Sequence, residues 1–392
     1  MRLLAHSADP SGKQQALRDH LLATAEVAAH EADRWQAADW GRLAGLLHDV
    51  GKTSEKFQRY VRGIGERGGD HSLLGAVLAS ECAPLAFAIA GHHTGLPDLA
   101  EFRARLADGL PDRDELISRA ATEVELPERT SFPPLPGYAA NDTTEAELFT
   151  RMLFSALVDA DYLDTEAHFR PDQADTRGSK IDLVDLWPIF EQHQAEMIAG
   201  APDTHLNRIR RGIYERCLAA AHDPQGLRSL TVPTGGGKTL SAMGFALRHA
   251  LGHRLDRVIV VIPYTSIIEQ TTGVYRDVFG PEAVLEHHSG VSFDEEEDAD
   301  RLRWQIAAEN WDAPIVVTTA VQFFESLFSN RPSRCRKLHR IARSVVIIDE
   351  VQTLPVGLLR PSLAMLAALV RNYRVTALLT TATSPAYNHI IE

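Results

Sequence analysis

The chain has 392 residues, 44% hydrophobic and 24% charged, with a formal net charge of -13 at neutral pH. That length suggests two domains, each with its own core, and the composition is that of an ordinary soluble globular protein, so disorder is not the default. The acidity repels a polyanion at long range, so nucleic acid has to be met by local basic surface or by metal.

The opening MRLLAHSADPSGKQQ holds no apolar stretch of signal-peptide length. The longest apolar runs elsewhere, such as residues 258–262, suit a strand and not a membrane span, so a cytoplasmic, membrane-free protein is expected. Cys82, Cys217 and Cys335 lie far apart with no CxxC spacing. This excludes a cysteine zinc knuckle, fits a reducing compartment and leaves core filling as their role.

From Leu17 to about Trp187 the periodicity predicts helices. Leu43, Leu46, Leu47 and Val50 recur at i, i+3, i+4, i+7, and Leu73, Leu74, Val77 and Leu78 repeat the pattern. Residues 96–144, including SFPPLPG, are rich in Pro, Asp and Glu and read as a long excursion between helices.

Seven histidines fall in the first hundred residues, at 6, 20, 30, 48, 71, 92 and 93. His48-Asp49 closes an amphipathic helix that Gly51 would cap. His20 lies on the preceding helix, His71 opens the next, and His92-His93 follows the apolar PLAFAIAG. Imidazole with carboxylate suits Mn, Fe, Co, Ni or Zn rather than an all-oxygen Mg site.

A late acidic residue from SALVDADYLDTE would close the set, and Asp159, Asp161 and Asp164 all end one helix. The helical wheel of Phe149, Leu153, Ala156 and Leu157 puts Asp159 nearer the apolar face. Lys52 could neutralise a bound phosphate or be a solvated lysine near a helix end. His6, His30 and His168 read as surface or core histidines.

A His, a His-Asp pair and a distal Asp on a late helix resemble the HD metal-dependent phosphohydrolase superfamily. The resemblance implies His20, His48 and Asp49 as metal ligands, with His71, His92 and His93 marking the variant that holds two metals. The superfamily's Ala-Asp step points to Asp161, which is preferred over Asp159. It also implies a catalytic role for His48, Asp49 and Lys52, with two metals clamping the attacking water and the leaving oxygen of a phosphodiester.

After Gly200 the pattern changes to short β-branched runs, SLTVPT, RVIVVIPY, PIVVTT, SVVIIDE and VTALLTTAT, separated by helical stretches. Such alternation implies a parallel sheet covered on both faces. The domains are therefore set at 1–200 and 201–392. SLTVPTGGGKTLSAMGFAL runs strand, glycine loop, helix, so the backbone from Thr234 through Gly235, Gly236 and Gly237 would wrap phosphates. Lys238 would meet the terminal phosphates and Thr239 would offer its hydroxyl to Mg²⁺ beside ATP. In VVIIDE, Asp349 fits the Mg²⁺ shell, and Glu350 fits the residue that polarises the attacking water.

DEEEDAD, residues 294–300, reads as a solvated acidic loop. Arg331, Arg334, Arg336, Lys337 and Arg340 could supply local positive surface, or form a basic loop balancing that run.

The form PTGxGKT is similar to that of superfamily-two helicases. This resemblance implies an all-α HD domain followed by an α/β RecA-like P-loop lobe with a mainly parallel sheet. It further implies nucleic-acid backbone contacts at Pro263 and at Thr318-Thr319, and a coupling motif at Thr381-Ala382-Thr383. Gln352 departs from the His or Asp that commonly closes the DExx motif, so the coupling contact there is expected to differ.

Together the two halves resemble the CRISPR-associated HD nuclease-helicases of type I interference systems. TVPTGGGKTLSAMGFALRHA, VIPYTSIIEQ, LEHHSG, NWDAPIVVTTAVQFFESLF and SRCRKLH look closest to the type I-C branch. The resemblance implies cleavage of single-stranded DNA exposed by a Cascade-type guide-RNA surveillance complex, with ATP-driven movement 3′ to 5′. It also implies a second motor lobe carrying an arginine finger, and the sequence ends at Glu392, soon after Thr383. A truncated chain that binds ATP weakly and unwinds nothing alone is expected. A nucleotide phosphohydrolase regulated by its P-loop lobe, and a non-catalytic recruitment module, are the competing readings.

Overall fold

The computed structural model describes residues 2–382 except 67, 108, 111, 129–131, 291–297 and 355. Most of the acidic run DEEEDAD, and Thr383 of the coupling motif, lie outside the described residues. The chain forms two compact units, Met1–Thr176 with Ser326–His339, and Arg177–Glu325 with Arg340–Glu392. The division at residue 200 expected from sequence thus meets an earlier crossing. The helix Leu183–Gly200 buries Leu183, Leu186, Trp187 and Phe190 in the core of the second unit.

The first unit is helical apart from one two-stranded antiparallel ribbon, Leu4–His6 with Gln15–Ala16. Those strands are too short to leave a periodic signature in the sequence. The segment 96–144 is not an unbroken excursion, because it contains the helices Leu99–Ala107, Arg113–Ala120 and Gly137–Asn141. Each is short, and the first two are charge-rich, which hides their periodicity. Helix Thr143–Phe169 starts where the Asp142 side chain accepts from the backbone N–H groups of Thr144 and Glu145, an N-cap pattern. It then runs through the core with Leu148, Phe149, Met152, Leu153 and Leu157 fully buried.

Glycine sets how closely the first two long helices approach. In Ala38–Leu47, a Cβ on Gly41 would sit 2.3 Å from the Ala28 carbonyl oxygen, and one on Gly45 would sit 2.4 Å from Ala25 Cα. Both targets belong to Leu17–Asp33, whose buried stripe there is Thr24, Ala25, Ala28 and Ala29. Small residues on both sides let the backbones touch, and this brings His48-Asp49 up to His20. Gly45→Val is accordingly expected to cost about 2–3 kcal/mol through overpacking. A urea melt of the metal-free protein checks it, and an unchanged midpoint would contradict the close-packing account.

In the second unit six parallel strands are ordered Leu227–Thr231, Thr376–Thr381, Ser344–Ile348, Arg257–Ile262, Ile315–Thr319, Val284–His287. The strands Arg257–Ile262, Ile315–Thr319, Ser344–Ile348 and Thr376–Thr381 are buried along their whole length. Continuous β-branched runs rather than alternation are what a sheet covered on both faces requires. The sheet's carboxyl ends carry the glycine loop 233–237, Asp349-Glu350, Thr318-Thr319 and Thr380-Thr381, so the predicted nucleotide motifs share one edge, as open α/β sheets place their ligands.

Candidate metal centre and nucleotide site

Four stretches of the first unit bring imidazoles round a single carboxylate, one of them carrying His71 just before the helix Leu73–Leu78. His20 sits within Leu17–Asp33, while His48-Asp49 follows Ala38–Leu47 and His92-His93 follows Ala83–Gly91. His20, His48, Asp49 and His92 are buried. The Asp49 carboxylate divides its oxygens between two clusters. Its Oδ2 lies 3.2 Å from His20 Nε2 and 3.3 Å from His48 Nε2. Its Oδ1 lies 3.4 Å from His71 Nε2, 3.3 Å from His92 Nε2 and 3.9 Å from His93 Nε2. Asp161 joins the first cluster, with Oδ1 3.5 Å from His20 Nε2 and 3.6 Å from His48 Nε2.

Hydrogen bonds made by the far side of each ring settle which nitrogen faces inward. His48 Nδ1 lies 2.7 Å from the Gly45 carbonyl and His92 Nδ1 2.7 Å from the Ile89 carbonyl, and a carbonyl only accepts, so each Nδ1 carries the hydrogen. In the neutral rings the Nε2 lone pairs therefore point at carboxylate lone pairs. Asp49 Oδ1 and His92 Nε2 are both buried without a hydrogen-bond partner although they lie close together. Such an arrangement is repulsive unless a cation lies between the atoms, so the donor set fits metal. The residues that could hold ions are His20, His48, Asp49 and Asp161 on one side, and Asp49, His71, His92 and His93 on the other.

Burial alone would strip His48 of its proton, but the carboxylates of Asp49 and Asp161 beside it outweigh burial and raise its pKa to about 10, so the cluster calls for a positive charge, which a proton on His48 Nε2 or a cation would supply. Burial would also raise Asp49, yet Lys52, His48 and His71 hold it well below the usual carboxylate range. Burial pushes His71 down, and burial with the neighbouring His92 takes His93 down to about 3, so these rings stay neutral and able to ligate. Lys52 is buried, with Nζ 2.5 Å from Asp49 Oδ2. It is neither a solvated lysine nor free to meet a phosphate in this arrangement.

The three late aspartates take three different jobs. Asp161 faces the cluster, while Asp159 turns to Arg336, whose Nε donates to Asp159 Oδ1 at 2.6 Å. Asp164 Oδ2 receives the His20 Nδ1 hydrogen at 2.6 Å, fixing that tautomer and orientation from behind. The role of Asp164 was not read from sequence, and its spacing of three from Asp161 on one helix was the available signal. Asp164→Asn is expected to weaken metal uptake about 10-fold, the scale seen for outer partners of ligating histidines. Isothermal titration with Mn²⁺ measures it, and unchanged affinity would remove Asp164 from the site.

His6 lies edge-on to His20 with ring centroids 4.9 Å apart, and burial lowers its pKa to about 3. His168 Nε2 donates to the Ser7 carbonyl, and His30 is exposed. Cys217 and Cys335 are buried and Cys82 is partly so, as core filling predicts.

In the second unit Gly235 and Gly237 have φ of +81° and +83°, which β-carbon-bearing residues rarely adopt. A Cβ on Gly236 would sit 2.5 Å from Val232 Cγ1. Lys238 Nζ lies 2.8 Å from Asp349 Oδ1 and also pairs with Glu350. Glu350 is pushed below its ordinary value by Lys238 and Gln352 against the opposing effect of burial. Gln352 Oε1 accepts from the Thr381 hydroxyl at 2.8 Å while its Nε2 donates to Glu350 at 2.6 Å. Arg210 Nε donates to the Gly235 carbonyl at 2.8 Å, a brace for the loop that sequence reading missed. A cleft of about 670 Å³ opens here, lined by Thr234, Gly235, Lys238 and Thr239 with Arg210 and Tyr214.

Thr318 and Thr319 are buried, and Pro263 is partly buried. The Thr318 hydroxyl donates to the His287 carbonyl and the Thr319 hydroxyl accepts from Gln322 N–H, so any outside contact there falls to the main chain. Of the predicted basic surface, Arg331 and Arg334 are exposed but Arg336 and Lys337 are buried. Asp159 accounts for Arg336, since a buried guanidinium needs a counter-charge.

Residues 17–129 match the HD domain family and residues 213–390 match the DEAD/DEAH box helicase family. Over 89% of its length the chain is 28% identical to the CRISPR-associated nuclease/helicase Cas3 of Haloferax volcanii. The chain is a homologue of the Cas3 nuclease-helicases. It spans 46% of the Haloferax Cas3. The T. fusca Cas3 crystal structure superposes with a TM-score of 0.66 at 16% identity, covering 97% of this Cas3 homologue and 50% of that chain. A pre-nicking CRISPR RNA-guided surveillance complex contains a chain matched at TM-score 0.56 and 16% identity, with coverage of 100% and 49%. At those identities the structures establish the fold: a helical HD domain, then an α/β helicase domain with a parallel sheet. HD domains are metal-dependent and DEAD domains bind ATP, and the first unit holds a candidate metal site. Among the described residues no helix is long and apolar enough to cross a membrane.

Proposed function

We propose that the chain is a metal-dependent nuclease for single-stranded DNA joined to the first RecA-like lobe of an ATP-driven translocase, acting in type I CRISPR interference. The nuclease is assigned to residues up to about 200 and the lobe to the remainder, with the closest family likeness to type I-C. The observation that carries the reading is the Asp49 carboxylate shared between two imidazole clusters whose lone pairs converge on it. Two divalent transition metals, Mn, Fe, Co or Ni, would supply Lewis acidity and make a water acidic enough to attack at neutral pH. His20, His48, Asp49 and Asp161 hold one, and Asp49, His71, His92 and His93 hold the other.

Around them the chain's own residues do the rest. Asp164 orients His20, and the carbonyls of Gly45 and Ile89 orient His48 and His92. Lys52 is the cation nearest the shared carboxylate and is positioned to transfer its attraction to a DNA phosphate once metal satisfies Asp49.

In the second lobe Thr234 to Thr239 would cradle the ATP phosphates, Thr239 and Asp349 would hold Mg²⁺, and Glu350 would polarise the attacking water. Pro263, Thr318 and Thr319 are the nucleic-acid positions, acting through the main chain at the strand ends. The partner is a Cascade-type guide-RNA complex that exposes the strand, and the compartment is the cytoplasm, in keeping with three unbridged cysteines.

Incubation of the purified chain with circular single-stranded DNA and Mn²⁺ tests the nuclease. Linearisation that EDTA abolishes is expected. Release of phosphate from free nucleotides with circles left intact would favour the phosphohydrolase reading instead.

A further inference from the structure

The segment Ser326–His339 leaves the helicase-type sheet and folds wholly with the first unit. It grips two places that matter for the metal cluster. At one end, Leu96 N–H donates to the Asn330 carbonyl at 2.9 Å, and Asn330 Nδ2 reaches back to the Leu96 carbonyl at 3.4 Å, three residues after His93. A Cβ on the intervening Gly95 would sit 2.8 Å from the Asn330 oxygen, and its φ of +107° keeps the loop in that closed path.

At the other end the segment meets helix Thr143–Phe169. Ser155 Oγ donates to the Cys335 carbonyl at 2.6 Å and accepts from His339 N–H at 3.0 Å. Arg336 Nε donates to Asp159 Oδ1 at 2.6 Å, and its guanidinium lies 5.0 Å from the centre of the Tyr162 ring. Arg336 and Asp159 are 4% and 0% exposed, so the pair is desolvated and its geometry is held firmly.

Asp159 and Asp161 are two residues apart, about 200° round a helix, whereas Asp161 and Asp164 are within about 60° of each other. Arg336 thus holds the helix from one side while Asp161 and Asp164 face the imidazoles on the other. A roll or slide that relaxed Asp159 would carry Asp161 out of reach of His20 and His48.

We propose that Arg336 is a positioning residue for the metal centre, acting through Asp159 on the placement of Asp161. The proposal rests on the metal reading above and goes beyond it, because it gives a residue beyond position 325 control over the centre without contact to metal or DNA.

Mn²⁺ titration of the full chain, followed by the EPR signal of free Mn²⁺, tests it. Arg336→Met is expected to weaken uptake about 10-fold, while binding of a fluorescent ATP analogue stays at the wild-type value. Arg336→Lys, which keeps the charge, is expected to recover part of the loss. Wild-type Mn²⁺ affinity in a folded Arg336→Met protein overturns the proposal. If Arg336→Met fails to fold, Asp159→Asn takes its place; the same direction of loss supports the proposal and wild-type affinity overturns it. A wild-type chain that takes up no Mn²⁺ overturns the metal reading itself, and the proposal with it.

Discussion

Asp49→Ala is expected to abolish metal-dependent cleavage more completely than loss of any single histidine. Each oxygen of this carboxylate serves a different imidazole cluster, so one substitution dismantles both. If the metals supply several kcal/mol of transition-state stabilisation, the loss is roughly a thousandfold in rate. His93→Ala should do far less, because that side chain is 44% exposed and lies 3.9 Å from Asp49.

The same substitution leaves the buried Lys52 ammonium without the carboxylate it touches, and breaking such a pair costs about 3–5 kcal/mol. Asp49→Ala combined with Lys52→Met separates the two effects. The double variant should regain the thermal midpoint of the metal-free wild type yet remain inactive on circular single-stranded DNA. Restored cleavage in that variant would show that Asp49 acts only as a counter-ion.

Lys238→Ala should give the opposite profile. Lys238 sits at the start of the helix Lys238–His253 and pairs with Asp349 and Glu350, the acidic residues that face the nucleotide site. Removing it takes away charge-assisted hydrogen bonds worth about 1.5–3 kcal/mol each, so affinity for a fluorescent ATP analogue should fall about a hundredfold. Mn²⁺-dependent nicking should stay within about twofold, because among the described residues every metal-cluster residue belongs to the other unit. Parallel loss of both activities would contradict two separable sites. Lys238 is only partly buried, so the effect on folding should be small beside that on nucleotide.

Much of this was legible in the residues. Helical periodicity marked Leu17–Asp33 and Ala38–Leu47, and β-branched runs marked Arg257–Ile262 and Ser344–Ile348, because those patterns are local consequences of which faces must be buried. The strand, glycine loop and helix around Lys238 were equally plain, since a phosphate loop is contiguous in the chain. Less visible were the short helices between residues 96 and 144, where helices of nine residues or fewer offer little periodicity. The burial of Arg336 and Lys337 was invisible too, because a basic cluster reads as surface until its counter-charge is known.

The amino-acid order by itself determined which side chains were available for the chemistry: the histidines, the His48-Asp49 pair, and the glycine loop with its lysine and acidic partners. Three-dimensional packing decided how they are used. It selected Asp161 over Asp159 to face the imidazoles, gave Asp164 to His20, and made Asp49 the carboxylate common to both clusters. The physical reason is that a helix offers several carboxylates at similar spacing. Only a neighbour from a distant part of the chain, here Arg336 against Asp159, fixes which of them can be buried as an ion pair and which is left to face the centre.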